Sequence, residues 1–197
     1  MHWLTHNAWA RKGLSSLSIL LAVVGVGMLA YPFATNLYQS RLQDDLENEL
    51  ADKGAEAYRS DSFGEGDALT RLEIPKTGVD VVVVEGTSAS ALRAGAGHYP
   101  ASPLPGEVGN VAIAGHRTTY GRPFHDNDKL ATGDEILLTT PVGKYTYRVV
   151  RDPYVVGSHD WAPITNQPGI RELTLTTCHP KGSAKQRLII KAELVPA

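Results

Sequence analysis

The chain has 197 residues, of which 42% are apolar and 20% are charged, and its formal net charge at neutral pH is -2. This composition is typical of one globular domain of ordinary size together with a smaller element. The chain lacks the basic excess of most nucleic-acid-binding proteins, so we expect no nucleic-acid partner. Its single cysteine excludes an intrachain disulfide and any zinc or iron-sulfur site that needs several thiolates from this chain.

An apolar segment, residues 13–34, follows Arg11 and Lys12. A helix of this length rises about 33 Å, which is enough to cross the hydrocarbon core of a membrane. Basic residues before the segment favour a cytoplasmic location for residues 1–12 and an extracellular one for everything after Ala34. A cleaved signal peptide is the alternative, but no small-x-small pattern ends the segment, which favours an uncleaved single-pass membrane anchor.

Residues 35–67 are polar and are predicted to form an extracellular helical stalk followed by a linker. Leu42, Leu46 and Leu50 are spaced by four, which predicts a helix over about residues 36–58 with one apolar stripe. This helix could dock on the following domain or remain a solvated stalk. Glycine and small polar residues over 60–67 then indicate a flexible linker, so we place the start of the main domain at residue 68 and its end at 197.

The segment after residue 68 is rich in short strand patterns and turn residues. So many short strands in one domain predict a mainly β fold, a closed or nearly closed eight-stranded barrel with short helical turns near residues 89–93 and 124–130. The eight candidate strands are residues 69–74, 79–85, 110–114, 135–140, 144–150, 154–156, 173–177 and 188–194.

The only cysteine ends the alternating run Thr174-Leu175-Thr176-Thr177-Cys178. Alternation places Leu173 and Leu175 on one face of the predicted strand and Cys178 on the other, polar face. Arg187 opens the next alternating run, again opposite to the apolar face. A thiol and a guanidinium on two strands joined by a short loop can therefore face the same groove.

A thiol nucleophile needs a helper, because a free cysteine is mostly protonated at neutral pH. His116 follows the apolar strand Val111-Ala112-Ile113-Ala114-Gly115 and is the best candidate among seven histidines. His179 adjoins Cys178, but neighbouring side chains on an extended backbone diverge. His2 and His6 lie before the anchor. His98, His125 and His159 lie in predicted loops and are second choices.

Three motifs together resemble the signature of the sortases, cysteine transpeptidases of Gram-positive cell surfaces. They are Thr174-Leu175-Thr176-Thr177-Cys178, Arg187 downstream, and Asn110-Val111-Ala112-Ile113-Ala114-Gly115-His116-Arg117 upstream. Gly97-His98-Tyr99-Pro100 and Leu104-Pro105-Gly106 resemble the segment before the family's histidine. The resemblance covers residues 69–194 and implies an eight-stranded sortase barrel in which His116, Cys178 and Arg187 are the catalytic residues.

The segment Thr118-Thr119-Tyr120-Gly121 resembles class E, the housekeeping sortases of high-GC Gram-positive bacteria. That resemblance implies that Tyr120 binds substrate and helps select a Leu-Ala-x-Thr-Gly sorting signal over Leu-Pro-x-Thr-Gly. Class C pilin polymerases are similar in the core, and they typically carry a lid with an Asp-Pro-aromatic motif and a C-terminal span. Residues 61–70 contain no such motif, and no apolar segment follows the last strand.

The activity implied by the resemblance is cleavage of a surface protein's sorting signal between threonine and glycine. The acyl group is then transferred to an amine, either of a lipid-linked peptidoglycan precursor or of a pilin lysine. Thr177 beside the thiol is a further candidate for substrate binding, although it could equally be a strand residue chosen for β-propensity. Trp161 is another, since the loop 156–170 could form a wall of the substrate groove.

Two other functions fit the same residues less well. A thiol hydrolase also uses cysteine and histidine, and only transfer to an amine distinguishes the two reactions. A metal site could combine Cys178 with His116, His179 or the acidic residues Asp126 and Asp128, but one thiolate is a weak zinc signature. We therefore expect an enzyme that needs neither a metal nor a cofactor.

Overall fold

The computed structural model describes residues 8–60 and 63–196, and within these ranges nine strands form one sheet. Their order in the sheet is β6-β5-β1-β2-β3-β4-β8-β9-β7, and an additional pairing of β6 with β9 closes it into a barrel. The strands are β1 (Ala68–Ile74), β2 (Val79–Glu85), β3 (Ala96–His98), β4 (Gly109–Gly115), β5 (Glu135–Thr140), β6 (Gly143–Val149), β7 (Tyr154–Gly157), β8 (Arg171–His179) and β9 (Gln186–Leu194).

The predicted mainly β barrel is confirmed, and all eight predicted strands are present. The ninth strand, β3, has only three residues, too few to produce a period-2 pattern. Its central Gly97 has a packing reason, because a Cβ there would lie 2.2 Å from the carbonyl oxygen of Gly86. The short helix α3 (Ala89–Ala94) also matches its prediction, and Ser88 caps its first turn.

The interior of the barrel is apolar because inward side chains alternate along every long strand. In β4 even the outward positions are buried, since loops cover that strand from outside. The side chains that fill the centre include Leu72, Ile113, Ile136, Tyr147, Leu173, Leu175 and Ile190.

Strands β4 and β8 run parallel in the middle of the sheet, and β9 runs antiparallel to β8. The carboxyl ends of β4 and β8 therefore meet at one end of the barrel, beside the amino end of β9. This end of the barrel carries every predicted catalytic residue, and we call it the active-site end.

The first helix, α1 (Ala8–Asp52), is continuous across the predicted boundary between anchor and stalk. Its apolar part is long and hydrophobic enough to cross a membrane, and its most apolar stretch is not buried against the rest of the protein. The predicted stalk helix is thus the carboxyl-terminal part of α1. A break at Gly54 separates it from the short helix α2 (Ala55–Ser60).

The carboxyl-terminal part of α1 docks on the barrel and is not a free stalk. The side-chain amide of Gln43 pairs with the backbone of Val82, accepting from its N–H at 2.6 Å and donating to its carbonyl at 3.1 Å. Leu46 is buried in a small apolar cluster with residues of β1, β2 and α3. Hydrogen bonds and apolar contacts hold one face of this helix on the barrel, so the helix is docked and is not a solvated stalk.

Residues 61 and 62 of the predicted linker, the first seven residues of the chain with His2 and His6, and Ala197 lie outside the described residues. The described part of the linker forms a turn. Its Gly64 N–H donates to Asp67 at 2.8 Å, and its Gly66 N–H donates to the carbonyl of Glu85 at 2.9 Å.

Candidate active site

Cys178 and Arg187 are directly opposite each other in the antiparallel pair of β8 and β9. Such partners project from the same face of a sheet with their Cβ atoms roughly 5 Å apart. The Arg187 guanidinium also donates to the carbonyl oxygens of Ala184 at 2.8 Å and Gln186 at 3.0 Å. These two bonds hold the cation at the loop between the strands, next to the thiol.

His116 follows β4 and lies on the other side of Cys178. The parallel register pairs Ala112 with Thr174 and Ala114 with Thr176. β4 ends at Gly115, and continuing the same register by two residues brings His116 level with Cys178, on the same face of the sheet. The two strands adjoining β8 thus bring an imidazole and a guanidinium to either side of one thiol.

Two contacts between strands bracket the pair of His116 and Cys178. The Thr177 hydroxyl, one residue before the thiol, donates to the carbonyl of Gly115 at 2.7 Å, one residue before the imidazole. On the far side, the guanidinium of Arg117 donates to the carbonyl of Cys178 at 3.3 Å. Because both backbones are tied on both sides, the two reactive side chains are held in a fixed relative position.

Arg117 is a buried cation, with 3% of its surface exposed. Its other contacts are the ring nitrogen Nδ1 of His179 at 2.9 Å, a carboxylate oxygen of Asp128 at 3.1 Å and the carbonyl of His125 at 3.4 Å. A charge this deeply buried is tolerated only when it is paired and hydrogen-bonded. Arg117 therefore holds the loop after β4 against the end of β8.

The side chains considered for a metal site have other partners. His179 and Asp128 contact Arg117. Asp126 pairs with Lys129 at 3.1 Å and with Lys181 at 3.4 Å. Among residues 8–60 and 63–196, no group of three or more histidine, cysteine or acidic side chains is arranged to hold a metal ion.

Tyr120 lies against His116. Its ring centroid is 5.3 Å from that of His116, and the Arg93 guanidinium lies 5.9 Å from the Tyr120 ring. Tyr120 also has a φ of 48°, in the left-handed region that non-glycine residues rarely adopt. A strained backbone conformation beside a reactive group is a feature of functional loops.

The pKa of His116 is lowered from its ordinary value of 6.5. The larger cause is burial, which removes water from the charged imidazolium, and the second is the positive charge of Arg93. At neutral pH the imidazole is therefore neutral and can accept a proton.

Small side chains line the face of the sheet between the three residues, and we call this face the groove floor. Ala112, Ala114, Thr174 and Thr176 share it with His116 and Cys178. Ala114 and Thr176 are only 8% and 5% exposed, and Ala112 and Thr174 are fully buried. The loop between β7 and β8 therefore covers the part of the floor that is farther from Cys178.

Tyr99 borders this floor and was not predicted as a site residue. Its backbone N–H donates to the carbonyl of Ala112 at 2.9 Å, which continues the pairing of β3 with β4. Burial raises the pKa of the Tyr99 hydroxyl, and the positive charge of Arg187 opposes that rise. The phenol is thus within electrostatic range of the cation beside Cys178.

Trp161 lies in the loop between β7 and β8 with 59% of its surface exposed. The loop is fastened to the outside of the barrel by the buried Asn110, whose amide donates to the carbonyls of Pro163 at 2.9 Å and Thr165 at 3.2 Å. Thr174 also donates to Asn110 at 2.7 Å. These bonds place the loop over the face of β4 and β8 that carries the groove floor.

The structure therefore brings His116, Cys178, Arg187 and Tyr120 together at one end of the barrel. Thr177 is beside them, but it is 3% exposed and its hydroxyl is engaged with Gly115, so its side chain is turned into the fold.

The three second-choice histidines have other partners. His98 is buried between a Glu85 carboxylate at 2.7 Å and the Ser102 hydroxyl at 2.8 Å. His125 bonds the carbonyl of Arg117 at 2.8 Å, and His159 contacts its neighbour Ser158 at 3.1 Å.

Sequence reasoning missed Arg117, Tyr99 and Asn110. A signal existed for Arg117, since it directly follows His116 in the motif. Tyr99 and Asn110 also lie within the quoted motifs, but their roles depend on partners distant in the chain, which no local pattern reveals.

Comparison with known proteins agrees with this geometry. A family model described as the Sortase domain matches residues 72–195, which is most of the barrel. The chain therefore belongs to the sortase family, a family of cysteine transpeptidases.

The chain is 39% identical over 133 residues to Sortase D of Bacillus subtilis, a match that covers 66% of this chain and 65% of that protein. It is 34% identical over 176 residues to Sortase SrtE1 of Streptomyces coelicolor, covering 81% of this chain and 47% of the relative. The chain thus spans about half to two thirds of the length of these relatives. A solved Sortase D5 transpeptidase of Clostridium perfringens superposes with a TM-score of 0.71 at 28% identity, over 80% of this chain and 98% of that one.

Proposed function

We propose that this protein is a membrane-anchored cysteine transpeptidase that attaches surface proteins to the cell wall. It cleaves a sorting signal of the Leu-Ala-x-Thr-Gly or Leu-Pro-x-Thr-Gly type between threonine and glycine and transfers the new acyl group to an amine. The observation that carries the proposal is the position of Cys178, directly opposite Arg187 and beside His116. Membership of the sortase family supports it.

In the first step the Cys178 thiol loses its proton to the neutral imidazole of His116, and the thiolate attacks the threonine carbonyl carbon. The carbonyl π electrons move to oxygen and produce a tetrahedral oxyanion. When this intermediate collapses, the C–N bond breaks and the imidazolium of His116 protonates the leaving glycine amine. The product is a thioester between threonine and Cys178, and His116 is neutral again.

In the second step an amine attacks the thioester carbonyl, and His116 takes a proton from the attacking nitrogen. Collapse of the second tetrahedral intermediate breaks the C–S bond, and the thiol recovers the proton from the imidazolium. The lowered pKa of His116 supports its role as a base in this step, because the imidazole is neutral before the amine arrives. We propose a lipid-linked peptidoglycan precursor as the acceptor, with a pilin lysine as the alternative amine.

Arg187 stabilises the oxyanion or orients the substrate carbonyl. Its guanidinium remains charged at any working pH and presents several N–H donors in a rigid fork. Two of its possible bonds are already made to Ala184 and Gln186, which fixes its direction before the substrate binds. Preorganised donors of this kind stabilise charge that develops only in the transition state.

Tyr120 is the residue we propose to select the second position of the signal. Its ring contacts His116, which supports a role for Tyr120 in contacting a peptide that reacts at Cys178. The segment around it resembles class E, and SrtE1 of Streptomyces coelicolor is among the relatives. Since Sortase D of Bacillus subtilis is also a relative, the class E assignment and its preference for alanine belong to the proposal.

We also propose that α1 anchors the enzyme as a single-pass helix with residues 1–12 in the cytoplasm and the barrel outside. The helix is long and apolar enough, and the two basic residues lie before the apolar part. Substrate proteins and a lipid-linked acceptor held in the same membrane then reach the enzyme at a raised effective concentration.

The test is a comparison of paired peptides that differ only in alanine or proline at the second position of the signal, with the full chain in detergent. Each peptide is assayed with and without an excess of an amine acceptor, and Cys178→Ala is the control. We expect a product joined to the amine, a faster reaction of the alanine peptide and no product with the control. Free acid as the only product in excess amine would establish the thiol hydrolase instead.

A further inference from the structure

The active-site end of the barrel lies at the level of the helix where the apolar span stops. The side-chain oxygen of Asn36 accepts from the Gly121 N–H at 3.3 Å, and Gln39 packs so closely on Gly121 that a Cβ there would lie 2.5 Å from it. The loop that contains Tyr120 is thus attached to helix residues just after Ala34.

The same helix contacts the opposite end of the barrel about three to four turns later. Gln43 bonds Val82 in the middle of β2, and the Glu49 carboxylate accepts from the backbone N–H of Ala68 at the start of β1 at 3.0 Å. At 1.5 Å per residue, Asn36 and Glu49 are about 20 Å apart along the helix. The docked helix therefore orients the barrel relative to its apolar span, with the active-site end nearest to that span.

Two loops at the active-site end of the barrel carry an excess of basic residues. They are residues 117–129 and 179–187, and we call them the rim loops. They carry six of the 19 lysines and arginines in the chain but two of its 21 acidic residues. Arg122, Lys129, Lys181 and Lys185 in these loops are exposed. The chain as a whole has a net charge of -2, so this positive surface is local.

We propose that the rim loops rest on the membrane surface and bind anionic phospholipid headgroups, so that the groove of Cys178 opens at the membrane. The inference depends on the proposed anchoring of α1 in a bilayer. Lysine and arginine side chains are attracted to an anionic surface, and the attraction falls away within a Debye length. The rim loop 117–129 is held beside the end of the span through Gly121, and Lys181 of the other rim loop contacts Asp126 of the first. The β5–β6 turn lies at the opposite end of the barrel.

This placement has a consequence for the substrates. A sorting signal that directly adjoins a membrane segment, or an amine on a lipid headgroup, reaches Cys178 without leaving the interface. A substrate that extends far from the membrane has to bend back toward it.

The experiment uses the full chain in bilayer nanodiscs with one fluorophore attached to a single cysteine. Two matched variants are made in a Cys178→Ala background, Lys185→Cys in a rim loop and Lys144→Cys beside the β5–β6 turn. The quencher is a nickel-chelating lipid headgroup, so quenching reports distance from the membrane surface. We expect several-fold stronger quenching of the label at 185 than of the label at 144, and equal quenching would overturn the orientation.

The lipid partner is tested by the charge of the bilayer. Quenching at 185 is expected to be stronger in phosphatidylglycerol than in phosphatidylcholine, and the difference is expected to shrink when Arg122→Gln and Lys181→Gln are added. An unchanged difference in that variant would refute the binding of headgroups by the rim loops.

A flotation assay after an alkaline carbonate wash separates this inference from the proposed anchor. Protein that washes off the bilayer contradicts the anchor, and the orientation with it. Protein that stays in the bilayer while both labels are quenched alike contradicts the orientation alone.

Discussion

The two faces of strand β8 perform different tasks although their residues alternate along one backbone. The inward face carries Leu173 and Leu175, which are fully buried in the core. The outward face carries Thr174, Thr176 and Cys178, which lie in register with β4 and with Arg187 of β9. Substitution of an inward leucine should therefore change stability, whereas substitution of Cys178 or its partner Arg187 should change chemistry and leave stability nearly intact.

The largest effect is expected from Cys178→Ala on the outward face. No thioester can form without the thiol, so turnover of a sorting peptide should vanish, and mass spectrometry should detect no acyl-enzyme. The thiol is only partly buried, so the thermal midpoint should stay close to that of the parent chain. Residual cleavage by this variant would show that Cys178 is not the nucleophile.

On the inward face, Leu175→Ala should lower the free energy of unfolding by about 2–5 kcal/mol, because it leaves a cavity in a close-packed core. Urea unfolding followed by circular dichroism measures the loss. At a temperature where the variant is still folded, its turnover should remain within a few-fold of the parent. A large loss of turnover in fully folded protein would mean that the two faces are not separable.

Arg187→Lys keeps a positive charge on the outward face but replaces the guanidinium fork by a single ammonium. We expect a fall of about 100-fold in kcat, the scale of losing one oxyanion donor, with a smaller change in KM. Steady-state kinetics with a fluorogenic sorting peptide give both values, and the unfolding midpoint serves as the control for folding. Near-parental kcat would reduce Arg187 to a general electrostatic role.

Thr177→Val tests the residue that links the end of β8 to the end of β4. Valine keeps the shape of threonine but removes the donor to Gly115, leaving that buried carbonyl unpaired at a cost of about 1–3 kcal/mol. Because this bond holds the ends of β4 and β8 together, kcat should fall while KM changes little. Thr177→Ser retains a hydroxyl and should recover most of the kcat; failure to do so would contradict the positioning role.

The smallest effect is expected from Arg93→Gln, which removes the lesser of the two causes of the lowered pKa of His116. An NMR titration of the imidazole should show a slightly raised pKa that stays below the ordinary 6.5, because burial remains. A folded-state pKa below that of the unfolded chain makes protonation destabilising. The contribution of His116 to stability is therefore present above pH 6.5 and is lost as the pH falls through its folded pKa. An unchanged pKa would show that Arg93 does not lower the pKa of His116.

Much of the barrel could be predicted because its strands have a clear period. Each of the eight predicted strands alternates or forms an apolar run bounded by turn residues, whereas β3 has three residues and no period of its own. The boundary between anchor and stalk could not be read in the same way, because helix propensity continues across Ala34 and a single helix results. Docking of that helix depends on Gln43 meeting the backbone of Val82, a contact 39 residues apart that no local pattern reveals.

The amino-acid sequence by itself determined that this protein has a lone thiol at the end of an alternating strand, an arginine at the start of the next one and a histidine after an apolar strand. Only the tertiary structure decided that Arg117 and Thr177 tie the two strand ends together, and that the active-site end lies beside the end of the apolar span. Those arrangements join residues about 60 to 85 positions apart, which become neighbours only when the barrel closes and the helix docks.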